Sequence, residues 1–188
     1  MSGSKWDNTM TSVVAILKAV DMISNVDVSV SFRSTHSSSR SYGGENPLVL
    51  VGYDSRVDNF NKVKKMFPSI FPGGTTPEGL CFEALLKDMI PSSQNRDSYF
   101  LNLSDGMPMF SSSNFNYYNL EALNHTKSQV DNFRKMGIKV LSYFVGDSYD
   151  NERNMGDFKK MYGKDAEFIN LDNVTQISKT MNSKFLEK

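Results

Sequence analysis

The sequence holds a single cysteine, Cys81, in 188 residues, so no disulfide can form within the chain. Its place in an apolar, helix-patterned stretch reads as a packed thiol in a reducing compartment. An excess of charge of either sign is also lacking: Lys plus Arg and Asp plus Glu both number 21. No basic field therefore points to nucleic acid or to an anionic membrane surface. No apolar run approaches the roughly 20 residues needed to span a bilayer. Residues 1–12 are polar and the apolar run behind them carries Lys18, which does not fit a signal peptide. Without such a signal the Asn-x-Ser/Thr triplets at Asn102, Asn124 and Asn173 are expected to be chance matches, and a cytoplasmic location is expected.

The motifs of common enzyme chemistry are missing too. There is no Gly-x-Gly-x-x-Gly at a strand–helix turn, and Gly73-Gly74-Thr75-Thr76 lacks the lysine of a P-loop. No Gly-x-Ser-x-Gly elbow occurs. The two histidines, His36 in a serine-rich loop and His125 on a helical stretch, read as solvated residues rather than a base or a ligand. With no general base in view, an enzyme is not expected.

What is present is one domain's length of alternating patterns. Residues 5–24 carry Trp6, Met10, Val13, Val14, Leu17 and Val20 at helical spacing. Residues 26–34 alternate apolar and polar, as a strand does, and 47–53 form a second strand. No helix lies between them, which predicts an antiparallel pair. Helices are predicted at 57–67, 77–90, 120–136, 152–162 and 173–186, and strands at 98–103, 138–145 and 166–171. Gly137 caps the helix at 120–136. Beyond the first pair, the alternation predicts a single α/β domain over 1–188, a doubly wound, mostly parallel sheet with helices on both faces.

The chain is organised around Phe71-Pro-Gly-Gly-Thr-Thr-Pro-Glu-Gly-Leu80. Gly73 and Gly74 permit backbone shapes that a Cβ disfavours. Thr75 or Thr76 is placed to cap the next helix, Pro77 suits its first turn, and Glu78 adds a carboxylate near its positive end. A second loop, Ser104-Asp105-Gly106-Met107-Pro108, closes the strand at 98–103. In wound sheets ligands sit outside the carboxyl ends of strands, and both loops fall at such ends. Threonine and aspartate oxygens are hard donors that suit Mg²⁺, Mn²⁺ or Ca²⁺. The plainer alternatives are a helix-capping threonine and an Asp-Gly turn. The aromatic stretch 109–119, with Phe110, Phe115, Tyr117 and Tyr118, reads either as a partner-binding rim or as a loop folded over its own core. Asp147, after the strand at 138–145, reads as a turn residue.

The order of elements, with Gly73-Gly74-Thr75 before a helix and Leu103-Ser104-Asp105-Gly106 after a strand, resembles a von Willebrand factor type A domain over nearly the whole chain. Among its branches the intracellular, prokaryotic and phage types are the most similar, including chelatase subunits. The resemblance implies a Rossmann-like fold with one antiparallel edge strand and a metal-ion-dependent adhesion site. That site would draw on Thr75 and Asp105, with Thr76, Gly106, Met107, Phe115 and Tyr117 toward a partner. It implies a protein partner that completes the coordination of the cation with a carboxylate, and a virion-associated location if the source is a phage. The sequence departs from the family at its start. The family's first, central strand and the aspartate of its Asp-x-Ser-x-Ser loop have no counterpart. Either Met1 follows that loop, or Ser2 and Ser4 are its two serines; the plainer reading is that both merely cap the first helix. Without its central strand the sheet would expose two edges or close them on each other, and a segment from another chain is a candidate to fill the place. Metal binding by the chain alone is then expected to be weak or absent. Alternative readings are a structural subunit of a phage or multi-subunit assembly with no active metal site, and a Mg²⁺-dependent hydrolase.

Overall fold

The computed structural model describes residues 1–37, 45–112, 115–146 and 152–170. The expected turn at Asp147 and the expected helix at 173–186 lie outside the described residues. The first helix, α1 (Ser4–Val20), opens on Gly3, whose φ of 56° is open to glycine at little cost. No side chain caps it, so Ser2 and Ser4 do not serve as caps; the Gly3 carbonyl instead accepts from Trp6 and Asp7 N–H. The hydroxyls of Thr9 and Ser12, on its buried face, donate to the carbonyls four residues back at 2.7 and 2.8 Å, which leaves no donor stranded.

Strands β1 (Ser29–Ser37) and β2 (Glu45–Asp54) pair antiparallel, as the missing intervening helix predicted. Next comes α2 (Phe60–Met66), capped by Asn59, whose side chain accepts from the Asn61 N–H at 3.0 Å. The predicted helix began at 57; Val57 is instead 83 % exposed in the turn before it. Here the Asp54 carboxylate holds Arg56 and favours a turn over a further helical residue. Helix α3 (Glu78–Leu86) is shorter than predicted and starts behind Pro77. Strand β3 (Tyr99–Ser104) follows, then a two-residue hairpin pair, β4 (Phe110–Ser111) and β5 (Asn116–Tyr117), in the stretch expected to be a loop. Helix α4 (Asn119–Lys135), strand β6 (Lys139–Gly146), helix α5 (Glu152–Tyr162) and strand β7 (Ala166–Asn170) complete the described chain.

The architecture is mixed α/β. A three-stranded parallel sheet, β3-β6-β7, is flanked by helices, and two small antiparallel pairs, β1-β2 and β4-β5, stand apart from it. Alternate residues of β6 serve its two faces. Val140 and Phe144 meet Phe82, Leu123, Val130, Phe133 and Phe158 of α3, α4 and α5. Leu141, Tyr143 and Val145 meet Ile16 of α1 on the opposite face. A separate core joins α1 and α2 to β1-β2 through Leu17, Tyr53, Val63 and Phe67. The strands do not form one continuous sheet: among the described residues β1 pairs only with β2, and β3 only with β6.

Candidate functional site

Two loops meet at one rim. The first, Gly73 to Pro77, is held to the end of β1. The Ser34 hydroxyl donates to the Gly73 carbonyl, and the Thr35 hydroxyl accepts from the Thr75 N–H at 3.0 Å. Gly74 has a φ of 69°, and a Cβ there would stand 2.4 Å from Thr35 Oγ1, so glycine is required twice over. The second loop, after β3, is joined to the first by a backbone bond: Met109 N–H donates to the Thr76 carbonyl at 3.0 Å. The Thr75 and Asp105 loops thus lie side by side, not at opposite ends of the fold.

The Asp105 carboxylate is 26 % exposed, and its Oδ2 lies 2.7 Å from the α-amino nitrogen of Met1. Beside it, a Cβ on Gly106 would meet nothing within 4 Å. The carboxylate is therefore reachable and already faces a cationic group. As a metal cradle the rim is sparse. Among the described residues no group of three or more His, Cys, Asp and Glu side chains could hold a metal ion. The hard donor the rim shows is one carboxylate, Asp105, with Thr75 on the adjoining loop and Ser2 and Ser4 exposed close behind Met1 in sequence. Such a set suits a hard cation that keeps most of its water, not a protein-enclosed one.

The residues expected at a docking rim divide. Phe115 is 43 % exposed, and Phe71, which the sequence did not single out, is 78 % exposed. Met107 is half-buried against the main core. Tyr117 is 1 % exposed and is core, not rim. Its hydroxyl is bonded to His125 Nδ1 at 3.0 Å, beside Gly79, and burial pushes its pKa up to about 12. Neither does Thr75 or Thr76 cap α3: Pro77 holds the cap position, with no side-chain bond to the helix. Cys81 is the packed thiol that its position suggested, and burial raises its pKa to about 11.

Beneath the rim lies a buried polar cluster that sequence reasoning missed. Glu78, 0 % exposed, accepts from Arg33 Nη2 at 3.0 Å and from Asn102 Nδ2 at 3.3 Å through its Oε1. Asn102 Nδ2 also donates to the Tyr162 hydroxyl at 2.9 Å. Burial, with the Glu78 carboxylate close by, holds that hydroxyl far above its ordinary range. The Arg33 guanidinium stands 5.0 Å over the Phe82 ring. The signal was there: a lone cation in an alternating strand, a carboxylate heading an apolar helix, and an amide inside Tyr-Phe-Leu-Asn-Leu.

No family model matches the chain, and no curated protein matches it. Among solved structures it is similar to the pilus adhesin SpaC from Lactobacillus rhamnosus GG in an open conformation, with a TM-score of 0.62 at 14 % identity. The likeness covers 97 % of this chain and 28 % of that one, so this chain spans somewhat over a quarter of the adhesin's length. At that identity the likeness concerns the fold. No described helix is long and apolar enough to cross a membrane.

Proposed function

We propose that the chain is a protein-binding module of the von Willebrand factor A type, which docks a partner at the rim where the Thr75 and Asp105 loops meet. The observation that carries this reading is the accessible Asp105 carboxylate on a loop bonded to the Gly73–Pro77 loop. An aspartate so placed attracts positive charge, and a hydrated Mg²⁺ or Mn²⁺ held there by Asp105 and Thr75, with Ser2 and Ser4 in support, would present open positions to a partner carboxylate. The exposed rings of Phe71 and Phe115 supply apolar contact area. The similarity in fold to a pilus adhesin agrees with a binding role.

The test uses Mg²⁺ alone as probe. An ion bound with a roughly 10- to 100-fold excess over its Kd stabilises the native state by about 1–3 kcal/mol, visible as a rise in Tm. At Mg²⁺ concentrations high enough to fill a weak site, the rise is expected in the parent chain and not in Asp105→Ala, with Thr75→Ala between them. If Asp105→Ala responds to Mg²⁺ as the parent does, the cation is not bound at this rim and the reading fails.

A further inference from the structure

Strand β2 bonds to β1 along one edge, and its outer edge pairs with no strand among the described residues. Helix α3 and β4 come up to β2, yet no described backbone-to-backbone bond outside the β1–β2 ladder falls on residues 46–53. That edge is apolar and reachable. Asn46 to Tyr53 holds no charged residue. Leu48, Leu50 and Val51 are 40, 44 and 50 % exposed. Edge strands are commonly guarded by charge, proline or a bulge. Here the guards stand only at the two ends: Pro47 begins the stretch, and the register with β1 skips Gly52 at its close.

The register also says which groups face outward. Residues of an antiparallel ladder alternate between pairs that exchange both bonds and pairs that exchange none. Pro47 lies opposite Thr35 and has no N–H, so that pair exchanges none. By alternation, neither do Arg33–Val49 and Ser31–Val51. The backbone groups of Pro47, Val49 and Val51 therefore point away from β1.

We infer that β2 pairs antiparallel with β2 of a second copy of this chain, about a twofold axis through Val49. In that register Val49 exchanges both bonds with its twin. Each Pro47 carbonyl accepts from the Val51 N–H of the other copy, where the proline's missing donor matters least, at the end of the contact. Leu48 falls opposite Leu50 on one face, twice over, as a closely spaced pair. The stretch is thus its own complement: every side chain from Pro47 to Val51 meets an apolar one. Lys plus Arg and Asp plus Glu are equal at 21 each, so no net charge drives two copies apart. Pro47 and Gly52 limit the pairing, and a twofold contact closes on itself rather than growing into a fibre. So short a contact falls well below the roughly 20–30 residues a side of a stable interface, so association is expected at roughly tens of micromolar and above. The inference does not rest on the reading of the Asp105 rim, and a monomeric chain would leave that reading intact.

The test is sedimentation of the parent chain from about 5 to about 500 μM, with hydrogen exchange followed at the Val49 and Val51 amides. Dimer should appear as concentration rises, and exchange at both amides should slow with it. Leu48→Lys sets a charge against Leu50 of the other copy, twice over the axis, and should weaken association about tenfold or more. Adding Leu50→Glu to that variant brings opposite charges face to face across the axis and should restore it. Both positions are exposed, so both variants should keep the parent's circular dichroism; should either not, the parent's concentration series still decides. A parent chain that stays monomeric throughout the range overturns the inference. Association that Leu48→Lys leaves unchanged also overturns it, by placing the contact elsewhere. Loss without recovery in the double variant overturns the register about Val49. A ladder of larger species in place of a dimer overturns the twofold pairing.

Discussion

Replacing Arg33 by leucine tests the energetics of the buried cluster. Glu78 is fully buried, and its Oε1 has two partners, Arg33 Nη2 at 3.0 Å and Asn102 Nδ2 at 3.3 Å. Without the guanidinium, the carboxylate keeps only neutral partners, the Asn102 amide and the Tyr162 hydroxyl, beside the rings of Phe82 and Phe100. Breaking a buried pair from one side typically costs about 3–5 kcal/mol, against about 0–1 for an exposed pair. For a domain of this size 1 kcal/mol moves Tm by about 2–4 °C, so the expected fall is roughly 6–20 °C. The decisive comparison is a double-mutant cycle. Glu78→Leu alone also destabilises, since it strands the guanidinium. The Arg33→Leu, Glu78→Leu pair removes both charges and should recover much of the loss, because well-packed apolar residues often replace a buried pair at little cost. The assay is equilibrium unfolding in guanidinium chloride at fixed pH. A loss under about 1 kcal/mol in Arg33→Leu, or a double variant no better than the sum of the singles, would refute the claim that this pair is a desolvated, mutually dependent unit.

Two further outcomes follow from burial and close approach. Cys81 and Tyr117 have their pKa values raised by burial, from 9.0 to about 11 and from 10.0 to about 12. Each folded value exceeds the unfolded one, so the stabilisation is complete below pH 9. It is lost as pH rises through 9–11 for the thiol and 10–12 for the phenol, at about 1.4 kcal/mol per pH unit for each group. Unfolding free energies measured from pH 8 to pH 11 should fall accordingly, and a flat profile would contradict the burial of both groups. Gly79→Ala should destabilise, although alanine is the better helix former by about 1 kcal/mol. Its Cβ would stand 2.3 Å from the Tyr117 hydroxyl and 2.9 Å from the Thr126 backbone nitrogen, forcing α3 away from α4. A higher Tm for this variant would show that the approach of α3 to α4 is not tight.

The elements that local pattern announces were legible. The period-two run ending near Arg33, the apolar strand that holds Asn102, and the amphipathic helix closed by Gly137 all appear within a few residues of their expected bounds. What failed was whatever depends on distant partners. Thr75 looked like a helix cap, but its backbone N–H is taken up by the Thr35 hydroxyl across forty residues of sequence. Of the two readings open for the stretch that holds Tyr117, rim or loop over its own core, its ring takes the second, because β4 and β5 fold it inward against Ala122 and Leu80. Glu78 was read as a charge complementing a helix end, and only the approach of β1 to α3 reveals its salt bridge with Arg33. At the candidate site the two loops were foreseeable from strand-end logic. The α-amino nitrogen against Asp105 was not, since no local pattern specifies it.

The division of the strands has a consequence for cooperativity. The core of α1, α2 and β1-β2 is separate from the core of α3, α4, α5 and the parallel sheet. No sheet hydrogen bond crosses between them among the described residues. Their coupling runs through α1, which packs on both, through β2 where it meets α3 and β4, through the bonds of Ser34 and Thr35 to the Gly73–Pro77 loop, and through the Arg33–Glu78–Asn102 cluster. Trp6, the single tryptophan, packs on Phe32 and so reports on the contact of α1 with β1. Far-ultraviolet circular dichroism reports on every helix. If the cluster is what ties the halves, the two signals should change together in the parent chain and separate in Arg33→Leu, with Trp6 fluorescence changing at the lower denaturant concentration. Coincident transitions in that variant would mean that α1, the β2–α3 packing and the Gly73–Pro77 loop suffice without the cluster to make the two halves unfold as one.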